Sequence, residues 1–244
     1  MQRILAFCLL LLIALSPGCG SAPGPGQAGQ APPGDTPPAV TVTGRSFQSD
    51  TEEFQSRLVI PVISGLRDQE LEKRINADFE NKALSFKDGI ERAAAQFYAD
   101  ARENGWDVPG PCSAQTSYTV PYNKDGLLSV CVTYYGFSGG AHGNTRVETL
   151  NLDTRTGKTL LLKDFFKPGE DYQALVAGEI RKQIAARPQD FFEDAAERLK
   201  AIPEDQPFYI EDGAVIVYFG QYEIAPYVTG IPEFRIPVSV RAAL

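Results

Sequence analysis

Residues 67–105 read RDQELEKRINADFENKALSFKDGIERAAAQFYADARENG, a stretch of helical spacing set between segments that alternate like strands. Leu71, Ile75 and Phe79 fall on one helical face, and Ile90, Ala94, Phe97 and Ala101 repeat the pattern. Gly105 is placed to cap the C-terminus, since glycine adopts the left-handed conformation that ends a helix, and Gly89 suggests a break midway. On either side the β pattern dominates. Residues 39–66 predict two strands, with Pro61 putting the second at an edge or a bulge. Residues 114–137 predict two more around the Asn123-Lys124-Asp125-Gly126 turn. After a glycine-rich turn, residues 145–166 read as a further hairpin, 170–187 as an amphipathic helix and 188–202 as a second short one. Residues 208–220 and 235–240 return to strand. Helices and hairpins in mixed order predict an α+β fold, antiparallel sheets with helices packed on them, in two subdomains.

The first 44 residues stand apart from this body. Arg3, an apolar run from Ile4 to Leu15 and small residues before Cys19 have the layout of a secretory signal peptide. The run is shorter than the roughly 20 residues that cross a bilayer as a helix. Ser16-Pro17-Gly18-Cys19 is similar to a bacterial lipobox, whose cysteine is lipidated and becomes the new N-terminus. Residues 20–44 are rich in Gly, Pro, Ala and Gln, a composition that buries no core and makes a semi-extended tether. The expected organisation is a leader over 1–19, a tether over 20–44, and folded regions over 45–147 and 148–244. The expected location is outside the cytoplasm, on a membrane through a lipid, with the outer membrane open if the cell has one.

With Cys8 in the leader and Cys19 carrying lipid, Cys112 and Cys131 remain to form a disulfide in an oxidising compartment. Such a bridge would stabilise the fold by about 3 kcal/mol. A symmetric turn at 123–126, however, sets Cys131 opposite Tyr118, so the bridge requires the Pro109-Gly110-Pro111-Cys112 segment to fold back. The net charge of −8, without a basic stripe, argues against nucleic acid and favours a basic partner. One histidine and no clustered ligands argue against a metal, and no cofactor is expected.

Gly136-Phe137-Ser138-Gly139-Gly140 spells G-x-S-x-G, with His142 four residues after the serine. A nucleophile elbow needs strand, tight turn and helix, whereas Thr145-Arg146-Val147-Glu148 continues as a strand. The reading favoured here is a turn, in which Gly139, Gly140 and Gly143 permit positive φ, and the serine hydrolase is the alternative. A second loop, 220–233, carries Tyr222, Glu223 and Tyr227, tyrosines being good anchors for sugar rings or protein partners. The candidate binding set is therefore Ser138, Gly139, Gly140, His142, Gly143, Tyr222, Glu223 and Tyr227.

Four phrases in order, IPVISGLRDQELEKRIN, SGGAHGN, LNLDTRTGKTLLLKDFF and FYIEDGAVIVYFGQYEIAPYVTGIPEFRIPVS, span nearly all of 45–240. Together they resemble the paired extracellular domains of RsiV-type lysozyme-sensing anti-sigma factors and of PdaC-type peptidoglycan deacetylases. The resemblance implies an α+β pair that binds a lysozyme-like protein or peptidoglycan. In the PdaC type the chemistry belongs to a separate metal-dependent domain, and this sequence shows neither that domain nor a cytoplasmic anti-sigma segment. The expectation is a non-catalytic envelope module on a lipid tether.

Overall fold

The computed structural model describes residues 40–108 and 110–240. The leader, Cys19 and most of the tether lie outside the described residues. Five strands form the first sheet in sequence order: β1 (Thr41–Asp50), β2 (Phe54–Ser64), β3 (Cys112–Lys124), β4 (Leu127–Phe137) and β5 (Asn144–Asp153). A second sheet orders β6 (Phe208–Glu211), β7 (Ala214–Tyr218) and β8 (Glu233–Pro237). The fold is mixed α+β, and every strand pair is antiparallel except β2–β3. That pair is parallel because α1 (Gln69–Asn104) carries the chain back along the sheet before β3 begins.

Helix α1 starts where Asp68 accepts hydrogen bonds from the Glu70 and Leu71 backbone N–H groups, at 3.0 and 2.9 Å. It ends at Gly105 in the left-handed conformation, φ 67°, whose N–H reaches the Ala101 carbonyl. No break occurs at Gly89: the helix runs through it as one element of 36 residues. A glycine inside a helix costs about 1 kcal/mol relative to alanine, which packing along so long a helix readily offsets. Phe79 and Ala83 bury against Leu58, Val130, Val132 and Tyr134, and Ala94 against Phe54 and Ala114.

Pro61 sits where β2 has lost one neighbour. β3 flanks β2 only along Phe54–Leu58. Beyond it, Val59 and Ile63 donate their N–H groups to Thr116 Oγ1 (3.1 Å) and Asn76 Oδ1 (2.8 Å). Proline, midway between them, has no N–H to satisfy.

Several boundaries differ from expectation. β1 begins at Thr41, so residues 41–44 belong to the first sheet and not to the tether. β5 runs unbroken across residue 147 and pairs with β4 along its length, so the change of sheet comes after Asp153. The hairpin expected over 145–166 shrinks to a single bridge, Leu152 with Thr159, before a 3-10 turn at Leu162–Phe165. Helix α2 (Tyr172–Ala186) forms as expected, with Asp171 accepting from the Ala174 N–H at 3.1 Å. The second helix reduces to α3 (Ala195–Arg198) and a 3-10 turn at Pro188–Asp190.

The disulfide is also corrected. Cys112 and Cys131 are free and buried. Pro121 has no N–H for the ladder, and the β3–β4 register slips between Thr119 and Tyr122, which sets Cys131 opposite Thr119. Cys112, seven residues earlier on β3, pairs with Phe54 instead. Seven residues span about 23 Å of strand, whereas bridged Cα atoms lie within about 7 Å.

The two sheets meet through side chains. Ser129 Oγ donates to Asn151 Oδ1 (2.6 Å) and accepts from the Ile210 N–H (3.1 Å). Asn151 Nδ2 and Thr149 Oγ1 both donate to the Phe208 carbonyl, each at 2.8 Å. These contacts satisfy the outer edge of β6. On its apolar face the second sheet packs Val215, Val217 and Phe234 against Val176 and Ile180 of α2.

Candidate functional site

The two loops singled out by sequence come together. Residues 138–143 connect β4 to β5, and residues 219–232 connect β7 to β8. His142 stacks on Tyr227 with ring centroids 3.9 Å apart and planes inclined by 24°. Its Nδ1 lies 2.9 Å from the Gly143 carbonyl and its Nε2 lies 3.1 Å from Tyr222 Oη. A carbonyl only accepts, so Nδ1 carries the proton, and in the neutral ring Nε2 accepts from the Tyr222 hydroxyl. Tyr227 Oη donates to the same Gly143 carbonyl at 3.0 Å. Gln221 Oε1 accepts from the Thr145 N–H at 2.7 Å and ties the second loop to the first residues of β5.

Glycine is required at two of these positions by close approach. At Gly139, φ +100°, a Cβ would lie 2.5 Å from the Phe97 ring of α1. At Gly143 it would lie 2.4 Å from the Tyr135 ring. Gly140 has φ +92° and faces open space. The tight seating of Gly143 holds its carbonyl where both His142 and Tyr227 reach it.

Ser138 is half-buried, and the strand β5 follows the loop where an elbow would need a helix. Both nitrogens of His142 are engaged, by Gly143 and Tyr222 rather than by the serine. Glu223 is exposed, and its Oε2 accepts from the Gly220 N–H at 2.8 Å, closing its own turn.

Tyr222 is the more exposed of the two loop tyrosines, 52% accessible, and its backbone is left-handed at φ 64°. A tyrosine gains nothing from that conformation itself, and exposure denies it core packing. Val228, beside Tyr227, is 90% exposed. Sequence reasoning missed Val228 and Gln221. Val228 follows a tyrosine that was singled out, but nothing in sequence marks Gln221 as the tie to β5.

Among the described residues no three His, Cys, Asp or Glu side chains converge to hold a metal ion. The only histidine already uses both ring nitrogens. The donor set of the described residues therefore does not fit a metal-dependent deacetylase centre. No helix among the described residues is long and apolar enough to cross a membrane.

Comparison with known proteins follows the same division of the chain. A family model described as deacetylase PdaC matches residues 47–145, and one described as a protein of unknown function (DUF3298) matches residues 163–239. The anti-sigma-V factor RsiV of Bacillus subtilis is 27% identical over 207 residues, covering 82% of this chain and 68% of RsiV. A DUF3298 family member from Bacteroides fragilis has a TM-score of 0.60 at 19% identity, over 82% of this chain and 92% of its own. A DUF3298 family protein from Pseudomonas aeruginosa has a TM-score of 0.53 at 21% identity, over 85% of this chain and 97% of its own. At those identities the two structures share the fold. With both family regions present in order, the chain is a PdaC- and RsiV-like protein that carries a DUF3298 domain.

Proposed function

We propose that this protein is a non-catalytic binding module of the bacterial cell envelope. It is exported, held on the extracytoplasmic face of a membrane by lipid on Cys19, and binds an extracellular protein of lysozyme type or peptidoglycan. The binding surface is the His142–Tyr222–Tyr227 platform with Val228 at its rim. The relationship to RsiV over 82% of the chain supports the location and the kind of partner. The net charge of −8 suits a basic protein partner.

The observation that carries the reading is Tyr222: an exposed aromatic side chain on a left-handed backbone, presented by a hydrogen bond to His142. Strained, solvent-facing aromatics of this kind belong to recognition surfaces rather than to cores. Tyr222 and Tyr227 offer ring faces either to a sugar or to a protein. The engagement of both His142 nitrogens supports the absence of a serine–histidine dyad.

The test is retention of the tagged full chain on lysozyme and on purified cell wall, each with wild type and with Tyr222→Ala. Retention by one of them, lost in the variant, is the expected result. Absence of wild-type retention on both would sink the proposal. Lipid on Cys19 is checked by intact mass of the membrane-extracted chain and of Cys19→Ala, which should leave the membrane.

A further inference from the structure

A cleft of about 260 Å³ opens between the first half of α1 and the strands β4 and β5, on the opposite side of β5 from the seam between the sheets. Ile75 and Phe79 of α1 form one wall, and Val132 of β4 and Leu150 of β5 form the other. At roughly 30 Å³ per water of liquid volume, the space equals about nine waters, the size of a small organic molecule.

Tyr134 lines this cleft and is only 1% exposed. Phe86 meets its ring edge-on at 5.3 Å, and the Arg146 guanidinium lies over its face at 4.7 Å. Its hydroxyl makes no hydrogen bond to any described residue. Yet no fully buried polar side-chain atom among the described residues lacks a partner. The sliver of surface that Tyr134 retains therefore belongs to its Oη, which reaches the cleft as an unmet donor. Burial, and then the nearby Glu148 carboxylate, push this phenol upward and keep it protonated.

The charges at the mouth are unequal in their pairing. Lys82 Nζ holds Asp78 (2.9 Å) and Glu148 (3.4 Å), and Arg146 holds the other oxygen of Glu148 at 3.2 Å. Both carboxylates are thus neutralised. Arg74, on the same α1 face one turn before Asp78, has no ion pair among the described residues and lines the same cleft. An apolar cavity with one unpaired guanidinium at the rim and one unmet hydroxyl donor inside specifies its ligand.

We infer that this cleft binds a small monocarboxylate bearing an apolar group and a second acceptor. Its carboxylate meets Arg74, its apolar group sits between Phe79 and Leu150, and its acceptor takes the Tyr134 hydroxyl. N-acetylated leucine and phenylalanine have this chemistry and serve as probes. The cleft is separate from the His142 platform, so failure there leaves this inference standing and the reverse also holds.

The experiment titrates N-acetyl-leucine and N-acetyl-phenylalanine into the full chain, following the Val132 and Leu150 amide resonances and the heat of binding. The corresponding amides, which lack the carboxylate, are the controls. Saturable shifts at these residues are expected, with the amide weaker than the acid. Arg74→Gln should weaken the acid about tenfold and erase its advantage over the amide. Tyr134→Phe, nearly isosteric, should weaken both acid and amide about three- to tenfold. No saturable shift at millimolar ligand would overturn the inference. So would equal affinity for acid and amide, or an unchanged affinity in Tyr134→Phe.

Discussion

The imidazole of His142 and the phenol of Tyr227 lie face to face, 3.9 Å between centroids, and share one acceptor, the Gly143 carbonyl. Two loops from different sheets are joined by this contact. Removing the ring by His142→Ala leaves Tyr222 without its hydrogen bond and Tyr227 without its stack. Such a pair is worth about 1 kcal/mol, so a small fall in Tm is expected. The larger effect is on the partner, with affinity for the retained ligand falling about tenfold or more as Tyr222 loses its fixed position. Calorimetry for stability and a binding titration for affinity check the two separately.

Tyr222 separates binding from stability more cleanly. Its exposed ring adds little to the fold, but its φ of 64° penalises any side chain with a Cβ. Tyr222→Gly should therefore be more stable than Tyr222→Ala by about 1 kcal/mol, while both lose partner binding equally. Urea unfolding of the two variants measures the difference, and equal midpoints would contradict the backbone argument.

The seam between the sheets depends on Asn151, buried and bonded to both Ser129 and the Phe208 carbonyl. Asn151→Ala leaves two buried groups with fewer partners and should cost about 1–3 kcal/mol. Ser138→Ala should change neither stability beyond about 0.5 kcal/mol nor any hydrolytic background. Thermal unfolding and an ester-turnover assay suffice for this pair.

Asp153 predicts an acid dependence. Burial pushes its carboxyl up, but the Arg155 N–H, the Arg155 guanidinium and the Thr156 hydroxyl outweigh burial and hold it below the usual carboxylate range. Its folded value is depressed, so its contribution is fully present above the unfolded value of about 3.9. The contribution fades as pH falls through the folded value. Asp153→Asn should thus be less stable than wild type at neutral pH, with the gap closing in acid. Melting curves of both proteins across that range trace the closure.

Cys112 and Cys131 should remain unalkylated in the folded chain and react on denaturation without any reductant. Burial pushes both thiols up, that of Cys131 to about 12, so little thiolate exists at neutral pH. Mass spectrometry of alkylated peptides reads the result, and a peptide pair joined through sulfur would contradict it.

Local signals in the sequence were decisive where a single element answers them. The spacing of Leu71, Ile75 and Phe79, with Gly105, marks the buried face and the C-terminal end of α1. The Asp125-Gly126 turn joins β3 to β4 with positive φ at both residues, as a two-residue hairpin demands. The strand after His142 was enough to read Ser138 as part of a turn. Pairing between elements was not legible in the same way. Nothing local tells a strand that its neighbour runs parallel, as β3 does beside β2, because that depends on where α1 returns the chain. The turn falls one residue later than a symmetric 123–126 turn, pairing Lys124 with Leu127, and the slip at Pro121 then sets Cys131 opposite Thr119 instead of Tyr118, while Cys112 fell to a different partner strand. The platform itself belongs to the same class. Sequence marked His142, Tyr222 and Tyr227 on two loops, but their stacking exists only because the glycines at 139 and 143 let the first loop close on Phe97 and Tyr135. Caps, periodicity and turns act over a few residues and leave their mark in composition. Register, strand direction and cross-loop contacts are settled by the packing of distant surfaces, which only the tertiary structure decides.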